Sequence, residues 1–408
     1  MRLGLILILF FLADAAWSQS FFLQDGSLSY DSSSTSVINI EIQRIDQSNA
    51  ISREMIGKFF FGGHISDSEK GNVRDRLDGE NYYGGELSPS INYTFFQPGK
   101  SSGWSVSYHY RNLNTLAFAD DLYTLFFYGN NEFLEEPAFL NENSLRIFNY
   151  QSLSFGWVDK KTGSNFRVGV YDNRSFSEID INQTTLTTGI NNSGPYPFAD
   201  EILLQAGTYS SRQSSSGGIF SSGIGFGLSG EYTFQIDQSR FILGVDDFGA
   251  MHLNNMEERD TSGVFEYRGF EWEVGEGSPL NDVFSTLEDS LSPNGRVLNT
   301  WVFLPALLKA SYISPDFGKF YLRADGSYRL NMGFRPELGL AITYRLENDN
   351  AVWVRPVVGG FNDFSVGLGA QFAVFNNTLV RAGSNHLFGV VDGEGTATSL
   401  FLQIVQKL

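Results

Sequence analysis

The feature that most limits this chain is a two-residue period held over unusually long runs. In an extended strand, residues i, i+2 and i+4 share one face. Over 87–95, Leu87, Pro89, Ile91, Tyr93 and Phe95 alternate with Ser88, Ser90, Asn92 and Thr94. Next, Trp104, Val106, Tyr108 and Tyr110 alternate with Ser105, Ser107, His109 and Arg111. A Gln97-Pro98-Gly99-Lys100-Ser101-Ser102 turn joins the two into a hairpin. The pattern returns over 224–234, with Gly225, Gly227, Ser229, Glu231 and Thr233 on the second face. It returns again over 334–346, where that face carries Arg335, Glu337, Gly339, Ala341, Thr343 and Arg345. Ile38, Ile40 and Ile42 open the series, and 364–375 and 400–408 close it. Several runs reach the roughly 9–11 residues of a tilted transmembrane strand; ordinary strands have about 5–6.

Composition agrees with long sheets. Aromatics make up 15% of the chain and charged residues 18%, and Pro is scarce at 11 of 408 residues. Pro removes a ladder donor, so long strands need it to be rare. A soluble sandwich would pack its apolar faces on each other and use shorter strands. Aromatics gather near the run ends (Phe95, Phe96, Trp104, Tyr110, Tyr232, Phe234, Tyr344), where barrel strands carry interfacial girdles. The expected fold is all-β: a transmembrane antiparallel barrel of roughly 12–16 strands, about 14, with short helices in loops or lumen. Residues 118–130 and 280–291 have helical spacing, and 210–222 is Ser/Gly-rich and reads as a flexible turn.

The beginning of the chain reads as a secretory signal. Arg2 precedes an apolar core at 3–12, and Ala16-Trp17-Ser18 supplies small residues at a cleavage site. This predicts a signal peptide over 1–18, a single barrel domain over 19–408, and a bacterial outer-membrane location. Beyond it, the longest apolar stretch, 301–308, is short and contains Pro305. The chain has no Cys, which excludes disulfides, thiol catalysis, Cys-ligated zinc and a lipid anchor on Cys. A net charge of −18 argues against a nucleic-acid partner. The partners to expect are outer-membrane lipid and envelope proteins.

Signs of chemistry are weak. Gly225-Phe226-Gly227-Leu228-Ser229-Gly230 and Asp247-Phe248-Gly249 match kinase motifs, but no His-Arg-Asp loop accompanies them. The four His residues form no zinc-binding pattern, so neither metal nor cofactor is expected. Asp246, Asp247 and His252 lie close in sequence and read as lumen or loop groups. Ser107, His109 and Arg111 share a face, which is all that supports a hydrolase on the barrel wall. The residues expected to face the lumen are Ser107, His109, Arg111, Glu231, Arg335 and Glu337; none is assigned a catalytic role.

The segments Gly244-Val245-Asp246-Asp247-Phe248-Gly249-Ala250-Met251-His252 and Asp121-Leu122-Tyr123-Thr124-Leu125-Phe126-Phe127-Tyr128-Gly129-Asn130, with the later Leu304-Pro305, resemble an uncharacterised group of Bacteroidota outer-membrane barrels. That group is similar in plan to fatty-acid-transporter-like barrels, which include the shuttle barrel of type IX secretion. The resemblance implies about 14 strands, a partly plugged lumen and lateral access for apolar cargo. It carries over no functional residue. The leading expectation is a non-enzymatic accessory or structural component of a secretion or assembly complex, with 113–145 and 262–298 as irregular surface for partners. The alternative is a channel or transporter for small or hydrophobic solutes, and a barrel hydrolase is the remote third.

Overall fold

The fold, obtained as a computed structural model, describes residues 35–134, 136–191, 198–215, 222–267, 295–362, 364–375, 377–387, 389 and 395–408. The expected signal segment and the helical spacing at 280–291 lie outside these residues. In hydrocarbon every strand N–H and C=O must find a partner, which only closure of the sheet provides. In chain order the strands are β1 (Ser36–Ser48), β2 (Glu80–Phe96), β3 (Ser102–Ala119), β4 (Ala138–Phe139), β5 (Asn143–Asp159), β6 (Asn165–Asn182), β7 (Thr185–Asn191), β8 (Phe198–Ser215), β9 (Gly223–Ile236), β10 (Ser239–Tyr267), β11 (Arg296–Phe303), β12 (Leu307–Ile313), β13 (Phe320–Arg329), β14 (Glu337–Arg345), β15 (Ala351–Gly359), β16 (Phe364–Phe375), β17 (Thr378–Ser384) and β18 (Ala397–Lys407). Two wall positions are shared: β8 and β9 lie end to end between β6 and β10, and β11 and β12 lie end to end along β10. Strands β4 and β7 form a flap on β8. The rest is a closed antiparallel barrel of 14 strands, sealed by β1 against β18.

Turns at 97–101, 160–164, 237–238, 314–319 and 346–350 are short and share one end with both termini of the barrel wall. The other end carries the long connections, including 49–79 and 120–142. The wall is uneven in height. β3 and β6 each have 18 residues and β10 has 29, whereas β14 and β15 have 9 each.

Burial is inverted relative to a soluble protein. Phe155, Val168, Phe226, Leu340 and Val354 are exposed, while Ser107, Arg323, Thr343 and Arg355 are buried. Stacked outward aromatics, such as Trp104 on Phe155 at 5.3 Å and Phe234 on Phe241 at 5.3 Å, mark the short-turn edge of this apolar band. An apolar outward band bounded by aromatics is the surface a bilayer requires.

The helices α1 (Arg53–Phe61), α2 (Asp67–Arg74) and α3 (Asp120–Tyr128) stand at the long-connection end. Ser52 and Ser66 cap the first two, and Ser66 with Glu69 completes a capping box. Met55, Val73 and Tyr123 pack on Phe118 and Leu116. Those two alternate with Leu113 and Thr115, which face the lumen, so the helices cover the outside of the rim. Of the two places expected for helices, loop and lumen, these occupy the loops. The stretch 210–215, expected as flexible turn, belongs to β8, because it pairs with β6; 216–221 lies outside the described residues.

Candidate functional site

Inward side chains fill the lumen in two layers. The first is a lattice of buried ion pairs at mid-height. Arg111, on β3, donates to Asp247 at 3.3 Å and faces Glu86 at 3.5 Å. Glu86, on β2, binds Arg329 of β13 at 2.5 Å across the lumen. Tyr150 and Tyr171 donate their hydroxyls to Asp247 at 2.9 and 3.0 Å. Beside them, Lys309 bridges Glu231 at 2.7 Å and Asp246 at 2.8 Å, with Arg167 at 3.7 Å from Asp246. Further round the wall, Arg355 pairs with Asp325 and, at 3.4 Å, with Glu337. Gln47 reaches Glu337 at 3.5 Å and His386 at 2.9 Å. With Arg323 3.8 Å from Asp325, the carboxylates Glu86, Glu231, Asp246, Asp247, Asp325 and Glu337 meet Arg111, Arg167, Arg323, Arg329, Arg355 and Lys309, all with buried side chains.

A buried charge is tolerable only when it is paired and hydrogen-bonded. This lattice meets that condition with partners from opposite walls, which makes it a cross-brace. It also mixes both signs of charge, unlike the single-sign rings of a charge-selective pore.

The second layer is apolar and lies toward the long-connection end. Leu113, Phe148, Met251, Leu253, Met256, Leu304 and Met332 form it over Tyr150 and Tyr171, with Phe176 and Phe334 at its margin. Three of the chain's five Met residues are here. These side chains are packed together at 0–2% exposure, and Met is flexible and polarizable and packs well on aromatic rings, so a guest enters this Met-Phe-Tyr chamber only as its side chains rearrange.

Both layers meet a flaw in the wall. In β10, Asp246 and Asp247 form a bulge opposite Ser229, and Asp247 takes φ 58°. Side chains disfavour this region by roughly 1–2 kcal/mol, Asp less than most. Across from the bulge, β11 ends and β12 begins, with Leu304, Pro305 and Ala306 all turned inward and buried. Three consecutive buried residues break the alternation a lipid-facing strand needs. Pro305 cannot donate to the ladder. The break lies within the outward apolar band, flanked by the exposed Phe248, Phe303 and Leu308.

The expected lumen residues are placed as follows. Ser107, Arg111, Glu231 and Glu337 point inward and are buried, and His109 is inward and partly exposed. Ser107 accepts from Arg167 at 3.4 Å rather than pairing with His109. Arg335 departs from the expectation. β14 begins at Glu337, because Gly333, at φ 72°, and Pro336 bend the preceding turn; Arg335 sits on the rim, exposed, with its guanidinium 4.0 Å from the Tyr82 ring. The kinase-like glycines lie on β9, where Gly227 leaves room for the Tyr171 ring and Leu304. Glu86, Arg329 and Lys309 were not singled out by the sequence; their one signal is a charge on the polar face of a strand. A cavity of about 320 Å³ lies at the rim, lined by Tyr82, Phe118, Phe139 and several acids. There Asp120 accepts from Gly79 and Asn81, and Asp121 accepts from Phe139 N–H.

No protein-family model and no curated protein matches the chain. Among solved structures the chain is similar to a Pseudomonas aeruginosa FadL homologue, at 9% identity and a TM-score of 0.44, over 96% of each chain. It is also similar to the P. putida toluene transporter TodX, at 9% identity and a TM-score of 0.38, over 94% of this chain and 92% of that one. The translocator domain of the autotransporter NalP from Neisseria meningitidis gives 10% identity and a TM-score of 0.32, over 95% and 93%. What this barrel does has to be read from its own lumen and wall.

Proposed function

We propose that this protein is an outer-membrane barrel that passes small apolar solutes from the outside, through the Met-rich chamber, to the break in the wall. The observation that carries the reading is Leu304, which belongs to both the chamber and the wall break. Below the chamber the charge lattice closes the axis to ions and polar solutes. A guest that enters from the long-connection end therefore meets an apolar chamber, a charged floor and a lateral exit facing hydrocarbon. TodX is a toluene transporter, and the reading is compatible with that while resting on Leu304.

An accessory role in an envelope complex has less support. Of the two segments expected as irregular partner surface, much of 113–145 is built into β3, β5 and α3, and most of 262–298 lies outside the described residues. The reading is tested with purified protein in liposomes. It predicts no steady ion conductance and faster uptake of a small hydrocarbon such as toluene than of a sugar. Met251→Leu and Met256→Leu, which conserve volume but remove the flexible thioethers of the chamber, should slow that uptake at least about threefold. Uptake that is equal with and without the double substitution contradicts it.

A further inference from the structure

The wall break and the charge lattice form one circuit. One lip of the break is the β10 bulge at Asp246 and Asp247; the other is the inward turn at 304–306. The paired register stops at Asp246 with Leu307 and resumes at Ala250 with Phe303. Between these points Leu304 donates its N–H to the Gly249 carbonyl at 2.9 Å. The Pro305 carbonyl points into the lumen and accepts from Arg329 Nη1 at 3.0 Å. Arg329 Nη2 binds Glu86 at 2.5 Å on the far wall. Glu86 faces Arg111, and Arg111 donates to Asp247 on the first lip. The path Asp247–Arg111–Glu86–Arg329–Pro305 joins lip to lip through the opposite side of the barrel.

We infer that Arg329 is the positioning residue of the wall break: by holding the Pro305 carbonyl and Glu86 at once, it keeps 304–306 folded inward and the break shut. Pro305 gives no N–H to the ladder, and its carbonyl takes its donor from another strand, on a side chain that is itself tethered. Planar guanidinium geometry suits Arg for two acceptors in fixed directions, and the compact Lys ammonium holds such a pair poorly. A buried carbonyl without a donor is costly, so loss of Arg329 favours a conformation in which 304–306 turns outward. The inference deepens the transport reading and rests on it for its purpose, but not for its test.

The test uses the absence of Cys in the native chain. Leu304→Cys places a single thiol at a position only 1% exposed. In liposomes, its labelling by a lipid-soluble pyrene maleimide reports opening of the break. Adding Arg329→Lys, or Glu86→Gln as an independent cut of the circuit, is expected to speed labelling at least about tenfold. Thr343→Cys, buried on another part of the wall, is the control for general loosening, and its labelling should not change. Faster labelling at 304 alone supports the inference, even if hydrocarbon uptake is unaffected; that combination would instead count against the transport reading. Unchanged labelling in both folded variants, or equal acceleration at 304 and 343, overturns the inference and leaves the transport reading standing.

Discussion

Tyr171 donates its hydroxyl to Asp247 at 3.0 Å, and Asp247 holds that position from a left-handed backbone, φ 58°. The bulge turns a residue that would otherwise face lipid into the lumen. There its carboxylate collects Tyr171, Tyr150 and Arg111. A device that shapes the wall therefore also supplies the central anion of the brace.

That double role predicts a large cost when the brace is cut. Arg111→Gln leaves Asp247 and Glu86 short of a buried cation, which should cost about 3–5 kcal/mol. Urea unfolding from liposomes, compared with wild type, measures it. A cost within ~0.5 kcal/mol would mean that the pair is wet and contributes little.

The lipid face makes a second prediction. Leu340 points outward from β14 and is exposed. Leu340→Arg near the bilayer midplane should cost roughly 2–4 kcal/mol in reversible folding into bilayers. An effect below ~1 kcal/mol would place this position outside the hydrocarbon.

Close approach inside the short wall makes a third. A Cβ on Gly369 would lie 2.2 Å from the Trp353 ring. Trp353 packs with Ala341 and Phe401 and has little room to retreat. Gly369→Val should cost about 1–3 kcal/mol through overpacking, read as a lowered thermal midpoint in detergent. An unchanged midpoint would show that the ring can move aside.

The helix pair on the rim gives a pH prediction. Hydrogen bonds from Lys58 and from Ser66 lower the Glu69 carboxyl from its ordinary 4.5 to about 2. A lowered pKa in the folded state means that the Glu69 contribution is whole above about 4.5 and disappears as pH falls through about 2. Hydrogen exchange at the amides of α2 should therefore accelerate between pH 4.5 and 2, beyond the intrinsic pH dependence. Glu69→Gln should remove that excess. An excess that persists in Glu69→Gln would assign it to another group.

Much of the architecture was legible in the chain. Alternation at 87–95, 104–111 and 224–234 gave strands, faces and an approximate strand number, because a residue between lipid and lumen has one face for each. The site was less legible. Periodicity places Glu86, Arg329 and Asp247 on strands but carries nothing about which walls face each other, and the lattice depends on that. Arg335 was misplaced because the alternation at 334–336 continues through a bend imposed by Gly333 and Pro336. Two local signals were present: adjacent acids at Asp246 and Asp247, and Pro305 within an apolar run. Each disturbs a regular strand, and in the fold they lie opposite each other.

The central claim is that apolar solutes leave through the break between β10 and β11–β12. Ala250 and Phe303 are cross-strand partners on the lipid side of that break, so an Ala250→Cys/Phe303→Cys pair can be oxidised to hold its edges together in a chain with no other Cys. The decisive measurement is toluene uptake into liposomes before oxidation, after it, and after reduction. The account predicts that uptake falls at least about tenfold on oxidation and recovers on reduction, with no ion conductance in any state. Uptake that is indifferent to the cross-link would contradict it and route the solute along the barrel axis.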